Sequence, residues 1–391
     1  MAVYFDNSAT TQVDPQVLAA MLPYFTEKYG NASSLHSFGA EAFTALVKAR
    51  KQVADLLQAE PREIIFTSGG TESDNLALQG TAFLNKHEKK RIITSVIEHP
   101  AVLNTCHYLQ SCGFEVIYLP VDEDGFVAEE SLKEHINRET ALVSIMAASN
   151  EIGTIQPLAA LAEIAHDAGA LFHTDAVQAV GKMPFNLHDS DIDLLSLSGH
   201  KLHAPKGIGA LFLRDGVQLQ PLLYGGGHER GLRSSTENIP GIVGLGQACE
   251  ISRQHGAEEI AQMTAIRDFL IDTTLDSIEG AYLNGARENR LCNNANFRFD
   301  YIDGESLVLY LDMEGIAAST GSACSTGSTG PSHVLRALGL SAVQCRGSLR
   351  LSLSRFNVMP EAEYFAAVIP SVVEKVRAMS PLGEKKNAIR S

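Results

Sequence analysis

Asp193-Leu194-Leu195-Ser196-Leu197-Ser198-Gly199-His200-Lys201-Leu202-His203-Ala204-Pro205-Lys206-Gly207 reads as an apolar strand that breaks into a loop at its carboxyl end. The loop holds a lysine boxed in by serine, glycine and two histidines. Partial burial disfavours the ammonium form, and such an amine can condense with a carbonyl. A pyridoxal cofactor is the commonest reason to need one. An ordinary surface lysine after a strand is the alternative.

Outward from this segment, strands alternate with helices. Residues 64–67, 91–96, 115–119, 142–147, 171–174, 194–197 and 209–213 are expected strands, with helices over 101–112 and 157–168 between them. The alternation predicts an α/β fold with a mostly parallel seven-stranded sheet covered on both faces. The last two strands flank the lysine loop and suit antiparallel pairing. Ligands of such sheets bind beyond the carboxyl ends of the strands. Toward the amino terminus, Asp14-Pro15 reads as an N-cap and first helical position. Leu18, Met21, Leu22 and Phe25 follow at helical spacing. The next helix carries Phe43, Leu46, Val47, Val53, Leu56 and Leu57 toward one expected face. After the glycine-rich stretch 224–246 the pattern changes to a long helix near 239–273, short strands at 296–300 and 348–352, and a helix at 304–314. A large domain over 15–255 is expected, with a smaller α/β domain formed by 1–14 and 256–391.

Composition narrows the function classes. The 391 residues are 45% hydrophobic and 20% charged, and 46 acidic against 31 basic side chains leave a formal charge of −15. That balance disfavours indiscriminate nucleic-acid binding. Six cysteines (Cys106, Cys112, Cys249, Cys292, Cys324, Cys345) are scattered without C-x-x-C spacing, so they read as reduced thiols, not disulfides or a metal site. No secretory start and no bilayer-length apolar run is visible, and the expected location is cytoplasmic.

Four further segments supply groups that suit one cofactor. Ile64-Ile65-Phe66-Thr67-Ser68-Gly69-Gly70-Thr71-Glu72 is a strand, a glycine turn and a helix start. Its unpaired N–H groups and helix dipole make a phosphate site, with Gly70 and Thr71 as the expected contacts. A plain capping turn is the alternative. His173-Thr174-Asp175-Ala176-Val177-Gln178 ends another strand. A buried carboxylate at Asp175 would keep a pyridine nitrogen protonated, and Gln178 could reach the ring oxygen. Asp175 could instead cap a helix. His99, in Glu98-His99-Pro100, could stack on the ring and move protons, or could cap the helix after Pro100. Asn150 follows a fourth strand and could approach the ring oxygen or simply shape a turn.

Two features lie beyond the sheet. Cys324 sits in Ser319-Thr320-Gly321-Ser322-Ala323-Cys324-Ser325-Thr326-Gly327-Ser328-Thr329-Gly330-Pro331, where small residues offer little to pack and make a flexible arm. A thiol on such an arm can attack in one place and deliver in another. Arg350 alternates with Leu349 and Leu351, and an inward arginine there should meet an anion: a substrate carboxylate or a structural acid.

These stretches, with Tyr4-Phe5-Asp6-Asn7-Ser8-Ala9-Thr10-Thr11, Gly30-Asn31-Ala32-Ser33-Ser34-Leu35-His36 and Arg230-Gly231-Leu232-Arg233-Ser234-Ser235-Thr236-Glu237-Asn238, resemble the NifS/IscS-type cysteine desulfurases. Those are fold-type I pyridoxal 5'-phosphate enzymes of the class-V aminotransferase group, and the resemblance covers nearly the whole chain. It implies Lys201 as the Schiff-base lysine, Asp175 as the partner of the pyridine nitrogen and His99 as the stacking acid/base. Thr71, Ser198 and His200 resemble phosphate ligands, and Asn150 and Gln178 residues near the phenolate. Arg350 and Asn31 match residues that hold the substrate carboxylate, and Cys324 the persulfide-forming cysteine. The residue matching Thr236 reaches the phosphate of the neighbouring subunit, which implies a homodimer. The implied reaction turns L-cysteine into L-alanine and passes sulfur to an iron–sulfur scaffold or another acceptor protein. A selenocysteine lyase or an aminotransferase is the alternative. Ser149 and Ser354 depart from the usual Asn and Gly without removing a group the chemistry needs.

Overall fold

The computed structural model describes residues 2–321 and 330–380. After a two-residue strand, β1 (Val3–Tyr4), seven strands build the main sheet: β2 (Ile64–Thr67), β3 (Arg91–Ser95), β4 (Glu115–Leu119), β5 (Thr140–Ser144), β6 (Leu171–Asp175), β7 (Leu194–Ser198) and β8 (Gly209–Leu213). Their order is β2-β8-β7-β6-β5-β3-β4. The β4–β3–β5–β6–β7 ladders are parallel, and β8 pairs antiparallel with both β7 and β2. The lysine loop is too short to hold a crossover helix, so the chain must return alongside β7 in the opposite sense. β5 begins earlier than the sequence suggests. Past its end the backbone still bonds to β6, through Ile145 N to His173 O at 3.1 Å and Ala147 N to Asp175 O at 2.8 Å.

The parallel arrangement gathers the ends of β3, β5, β6 and β7 at one edge, and the turn after β2 opens there too. Every residue of β5 and β7 is buried, as continuous apolar runs in a doubly covered sheet require.

A second, smaller core lies toward the carboxyl terminus. It holds β9 (Ala281–Leu283), β10 (Asn294–Phe299), β11 (Ile316–Ala317) and β12 (Ser348–Ser352), with β12-β10-β9 forming an antiparallel sheet. The helices Gly304–Met313 and Met359–Met379 pack against it. One 39-residue helix, Ile239–Ser277, serves both cores. Ile242, Leu245 and Cys249 enter the first, and Met263, Ile266 and Leu270 the second. The amino-terminal segment joins the second core. β1 pairs in parallel with β11, and Phe5 is fully buried edge-on to Phe365, their ring centroids 6.2 Å apart. Burying a phenylalanine stabilises by roughly 2–3 kcal/mol, enough to fix where the chain goes next.

Asp14 caps the helix Pro15–Met21, accepting from Gln16 N at 2.7 Å. One expectation needs correction. Phe43 and Val47 do not join Leu46, Val53 and Leu57 in the core: they are 54% and 50% exposed. Apolar residues occur on two sides of the helix Ser37–Leu57, and this chain covers only one of them. Cys112 is exposed at the end of the helix Pro100–Ser111, whereas Cys106, Cys249, Cys292 and Cys345 are buried. Burial pushes the Cys106 thiol up to about 12, which leaves it unreactive. Among the described residues, no helix is long and apolar enough to cross a membrane.

Candidate active site

A cavity of about 200 Å³ opens at the carboxyl edge of the sheet. Gly70 and Thr71 enter from the turn after β2, His99 from the end of β3, and Asn150 from the loop after β5. Asp175 ends β6 and Gln178 follows it, while Ser198 ends β7 and His200 and Lys201 lie in the turn after it. Residues from Gly70 through Lys201 thus face one space. Gly70 must be glycine for packing: an added Cβ would lie 2.6 Å from Val177 Cγ2. The turn can therefore press against the strand end that carries Asp175.

Lys201 closes a single 3-10 turn after β7 and is buried. Its Nζ donates to Ser8 O at 2.5 Å and Ala9 O at 2.7 Å. Gln178 Nε2 also donates to Ser8 O, at 3.0 Å. Packing of Phe5 thus delivers two carbonyls to the lysine from 193 and 192 residues away. Sequence reading assigned Ser8 and Ala9 no role; the small polar run Asn7-Ser8-Ala9-Thr10 after a short strand was the available signal. Beneath the loop, Lys182 Nζ donates to Lys201 O at 3.3 Å, and burial lowers the Lys182 amine to about 8. Burial, and then the charge of Lys201, lower His200 to about 4, so its ring is neutral.

Asp175 Oδ1 accepts from Val177 N at 2.9 Å. Burial raises its carboxyl, and the charges of His99 and Lys201 pull it back. His99 caps the helix Pro100–Ser111, its Nδ1 accepting from Ala101 N at 3.1 Å. That bond puts the proton of the neutral ring on Nε2. Burial lowers the His99 pKa, against the pull of Asp175. Capping and a place in the cavity coexist in this residue.

A buried polar layer lies next to Asp175, and no sequence pattern announced it. His173 Nδ1 meets Ser144 Oγ at 2.8 Å and its Nε2 meets Ser196 Oγ at 3.0 Å. Glu98 Oε1 accepts from Ser95 Oγ at 2.6 Å and Met146 N at 2.9 Å. Desolvation drives each of these groups to its neutral form. His173 falls to about 3, Glu98 rises to about 8, and Asp74 rises well above the usual carboxylate range. Asp175 is left to answer a cation in the cavity.

The neutral Glu98 has a consequence for stability. Between its ordinary value of 4.5 and about 8, the folded chain keeps a proton that the unfolded chain has shed. Stability present at low pH is therefore lost as pH rises through that window. The lowered histidines act below about 6.5, so over pH 6.5–8 Glu98 contributes a loss of roughly 2 kcal/mol, in the same direction as the raised carboxyls of Asp74 and Asp175. Glu98→Gln should flatten this limb in denaturant unfolding at pH 6.5 and 8. A slope equal to wild type would mean that Glu98 ionises freely in the fold.

The remaining expected residues stand outside the cavity. Arg350 on β12 is fully buried, its Nη2 donating to Asp6 Oδ1 at 2.9 Å and its Nη1 to Asn150 O at 3.0 Å and Gly321 O at 3.3 Å. It meets a structural acid here, just behind Asn150. Asn31 is exposed and accepts from Ser33 N at 2.8 Å, away from the cavity. Thr236 is exposed and does not line the cavity of its own chain. Its segment is tied down by the ion pairs Arg233–Glu72 at 2.8 Å and Arg50–Glu229 at 2.6 Å. Cys324 lies outside the described residues.

The cavity fits a pyridine aldehyde phosphate. Gln178 Oε1 is buried without a partner among the described residues, the mark of a side chain whose second hydrogen bond goes elsewhere. The start of the helix Gly70–Asn85, Thr71 and Ser198 offer donors to an anion, Asp175 a counter-charge and Lys201 an amine.

Comparison with known proteins agrees. The family description "Aminotransferase class-V" matches residues 3–365. A cysteine desulfurase of Gluconacetobacter diazotrophicus is 51% identical, over 100% of this chain and 98% of that protein. Cysteine desulfurase IscS of Methanosarcina thermophila is 52% identical, over 98% and 95%. Among solved structures, a NifS-like protein superposes with a TM-score of 0.90 at 42% identity, covering 96% of this chain and all of that one. SspA in complex with cysteine gives 0.81 at 38% identity, covering 91% of this chain and 100% of that one. The chain belongs to the class-V aminotransferase family, among its NifS/IscS-type cysteine desulfurases, which are fold-type I pyridoxal-phosphate enzymes.

Proposed function

We propose that this cysteine desulfurase carries out its reaction at the cavity around Lys201, with Cys324 as the sulfur acceptor. L-Cysteine and the Cys324 thiol become L-alanine and a Cys324 persulfide; the C–S bond of the substrate breaks and an S–S bond forms. The observation that carries this assignment is the convergence of Lys201, Asp175 and His99 on one cavity from three strand ends.

Pyridoxal phosphate, when bound, supplies an aldehyde for amines to condense with and a protonated ring that draws electrons from the substrate Cα. The chain's residues do the rest. Gly70, Thr71, Ser198 and His200 bind the phosphate, and Asp175 holds the proton on the ring nitrogen. Asn150 and Gln178 sit on the ring-oxygen side. Lys201 is positioned by the Ser8 and Ala9 carbonyls and moves the proton at the substrate Cα, and His99 Nε2 gives or takes a proton nearby. Arg350 exchanges Asp6 for the substrate carboxylate, an anion of the same shape, with Asn31 assisting. A solved relative is described in complex with cysteine, which supports that substrate.

Two chains make the working unit. Thr236 is presented at the surface on a braced segment, and Leu22, Phe25, Tyr29, Leu35, Phe38 and Phe43 leave a large apolar surface uncovered. A second copy, lending Thr236 to its neighbour's phosphate, accounts for both. The persulfide passes to an acceptor protein such as an iron–sulfur scaffold. Residues 15–255 form the cofactor domain, and 1–14 with 256–391 the smaller one. The test is product stoichiometry: L-cysteine with a thiol reductant should yield equal alanine and sulfide without any keto acid. 3-Mercaptopyruvate formation with a requirement for a keto acid would favour transamination instead, and pyruvate released with ammonia and sulfide would point to β-elimination.

A further inference from the structure

Glu72 stands in the first turn of the helix Gly70–Asn85, directly after Thr71, and has no part in the reaction as described. Its place is an adverse one. The helix start is the site for a phosphate, and a second negative charge beside it repels that anion. The carboxylate is nonetheless charged. Burial raises it, but hydrogen bonds from Arg233 and Ser68 and the Arg233 charge bring it below its ordinary value. Arg233 Nε donates to Glu72 Oε1 at 2.8 Å and Nη2 to Oε2 at 3.3 Å, a two-nitrogen grip. Ser68 N donates to Oε2 at 2.9 Å. Glu72 thus ties the turn 68–71 back onto itself and takes its countercharge from a residue 161 positions away.

The segment that carries Arg233 holds the same turn at a second place. β2 is an edge strand of the main sheet, so its outer N–H groups have no neighbouring strand. Glu229 Oε2 accepts from Phe66 N at 2.9 Å, and Arg50 holds that carboxylate at 2.6 and 2.7 Å. Four residues on, Arg233 meets Glu72. Its own backbone is fixed, because Leu223 pairs with Arg233 and Ser234 N donates to Leu223 O at 3.3 Å. Phe66, Thr67, Ser68, Glu229 and Arg233 line one cleft of about 30 Å³. Strand, turn and helix start are therefore held from outside by one acid and one base of a single segment. On the other side, Gly70 and Thr71 face the cofactor cavity.

We propose that Glu72 and Arg233 are positioning residues for the cofactor's phosphate: Glu72 shapes the turn through Ser68, and Arg233 cancels the negative charge that Glu72 brings to the helix start. This deepens the reading that Gly70 and Thr71 bind the phosphate, and rests on it. Removing the guanidinium leaves a carboxylate without its countercharge next to the anion. The loss must therefore fall on a ligand that carries the phosphate. Removing the Glu72 charge as well must give part of the affinity back, the opposite of two independent lesions.

The test compares pyridoxal phosphate with pyridoxal, the same ring without the phosphate, by absorbance titration of the cofactor-free full-length protein. Arg233→Met should weaken pyridoxal phosphate about thirtyfold and leave pyridoxal within about twofold of wild type. Arg233→Lys keeps the charge without the two-nitrogen grip and should weaken the phosphate form about fivefold. Glu72→Gln keeps an acceptor for Ser68 N. Combined with Arg233→Met, it should bind pyridoxal phosphate more tightly than Arg233→Met alone, by about fivefold. Should Arg233→Met fail to fold, Arg233→Lys carries the same comparison of the two ligands. Equal losses for both ligands overturn the proposal, as does wild-type affinity in Arg233→Met, or a double variant no tighter than the single one. Thr71→Val run in parallel keeps the two readings apart. Thr71→Val that weakens both ligands alike, or neither, overturns the phosphate site itself. A phosphate-specific loss in Thr71→Val beside an unaffected Arg233→Met removes only the part given to the ion pair.

Discussion

Replacing Lys201 by alanine is expected to lower alanine formation by at least about 10⁴-fold. It should also leave pyridoxal phosphate removable by gel filtration, whereas borohydride reduction of the wild-type protein should fix the cofactor covalently to the peptide containing Lys201. The expectation rests on geometry. Lys201 Nζ is buried in the cavity and held at 2.5 and 2.7 Å by two backbone carbonyls, so the amine sits at one defined place. Lys182 is the nearest rival amine on chemical grounds, because burial lowers it to about 8. It lies beneath the loop, against the carbonyl of Lys201, and does not line the cavity. A label on Lys182 or Lys206 would refute the assignment of Lys201. The same variant tests the shared site. In a mixed dimer of Lys201→Ala and Thr236→Ala chains, a cross-subunit contact puts both lesions into one site. The other site then keeps its lysine and borrows an intact Thr236, and should bind cofactor as wild type does. Binding as weak as in the Thr236→Ala homodimer would place Thr236 in its own chain's site.

The second large effect is expected at Cys324. Cys324→Ala should reduce sulfide release by more than about 10³-fold and leave cofactor colour and the spectral response to L-cysteine unchanged. The other cysteines are poor substitutes. Cys106 and Cys292 are pushed up to about 12 and about 11 by burial, so neither is a thiolate at neutral pH. Cys112 is exposed, but it ends the helix Pro100–Ser111 and does not line the cavity. Near-normal sulfide from Cys324→Ala would show that another group attacks the substrate sulfur. Loss of colour would give the cysteine a part in holding the cofactor.

Much of the site was legible in the sequence because its groups sit next to local signals. Strand ends, glycine turns and helix caps are written in neighbouring residues, so the positions of Gly70, His99, Asp175 and Lys201 followed from reading along the chain, whereas Ser198 and His200 entered as phosphate ligands through the resemblance. A parallel sheet then brings those ends together whatever the intervening helices contain. Asn31 and Thr236 were named from resemblance alone, and a single chain leaves both outside its cavity. The apolar side formed by Phe43 and Val47 was read as core because periodicity reports only that a face is apolar, not what covers it.

By itself, the sequence determined the order of strands and helices, the loop that carries each candidate group and the chemical kind of that group. Those properties depend on backbone preference and on residues a few positions apart. Only the tertiary structure decided what each group meets. Ser8 and Ala9 reach Lys201 because Phe5 is buried in another core. Asp74, Glu98 and His173 are neutral because α/β packing strips water from all three, and desolvation outweighs their hydrogen bonds. Arg350 faces Asp6 across 344 residues, and Glu151 meets Ser332 across 181. Such contacts arise from closing long loops around a core, and no local pattern encodes them.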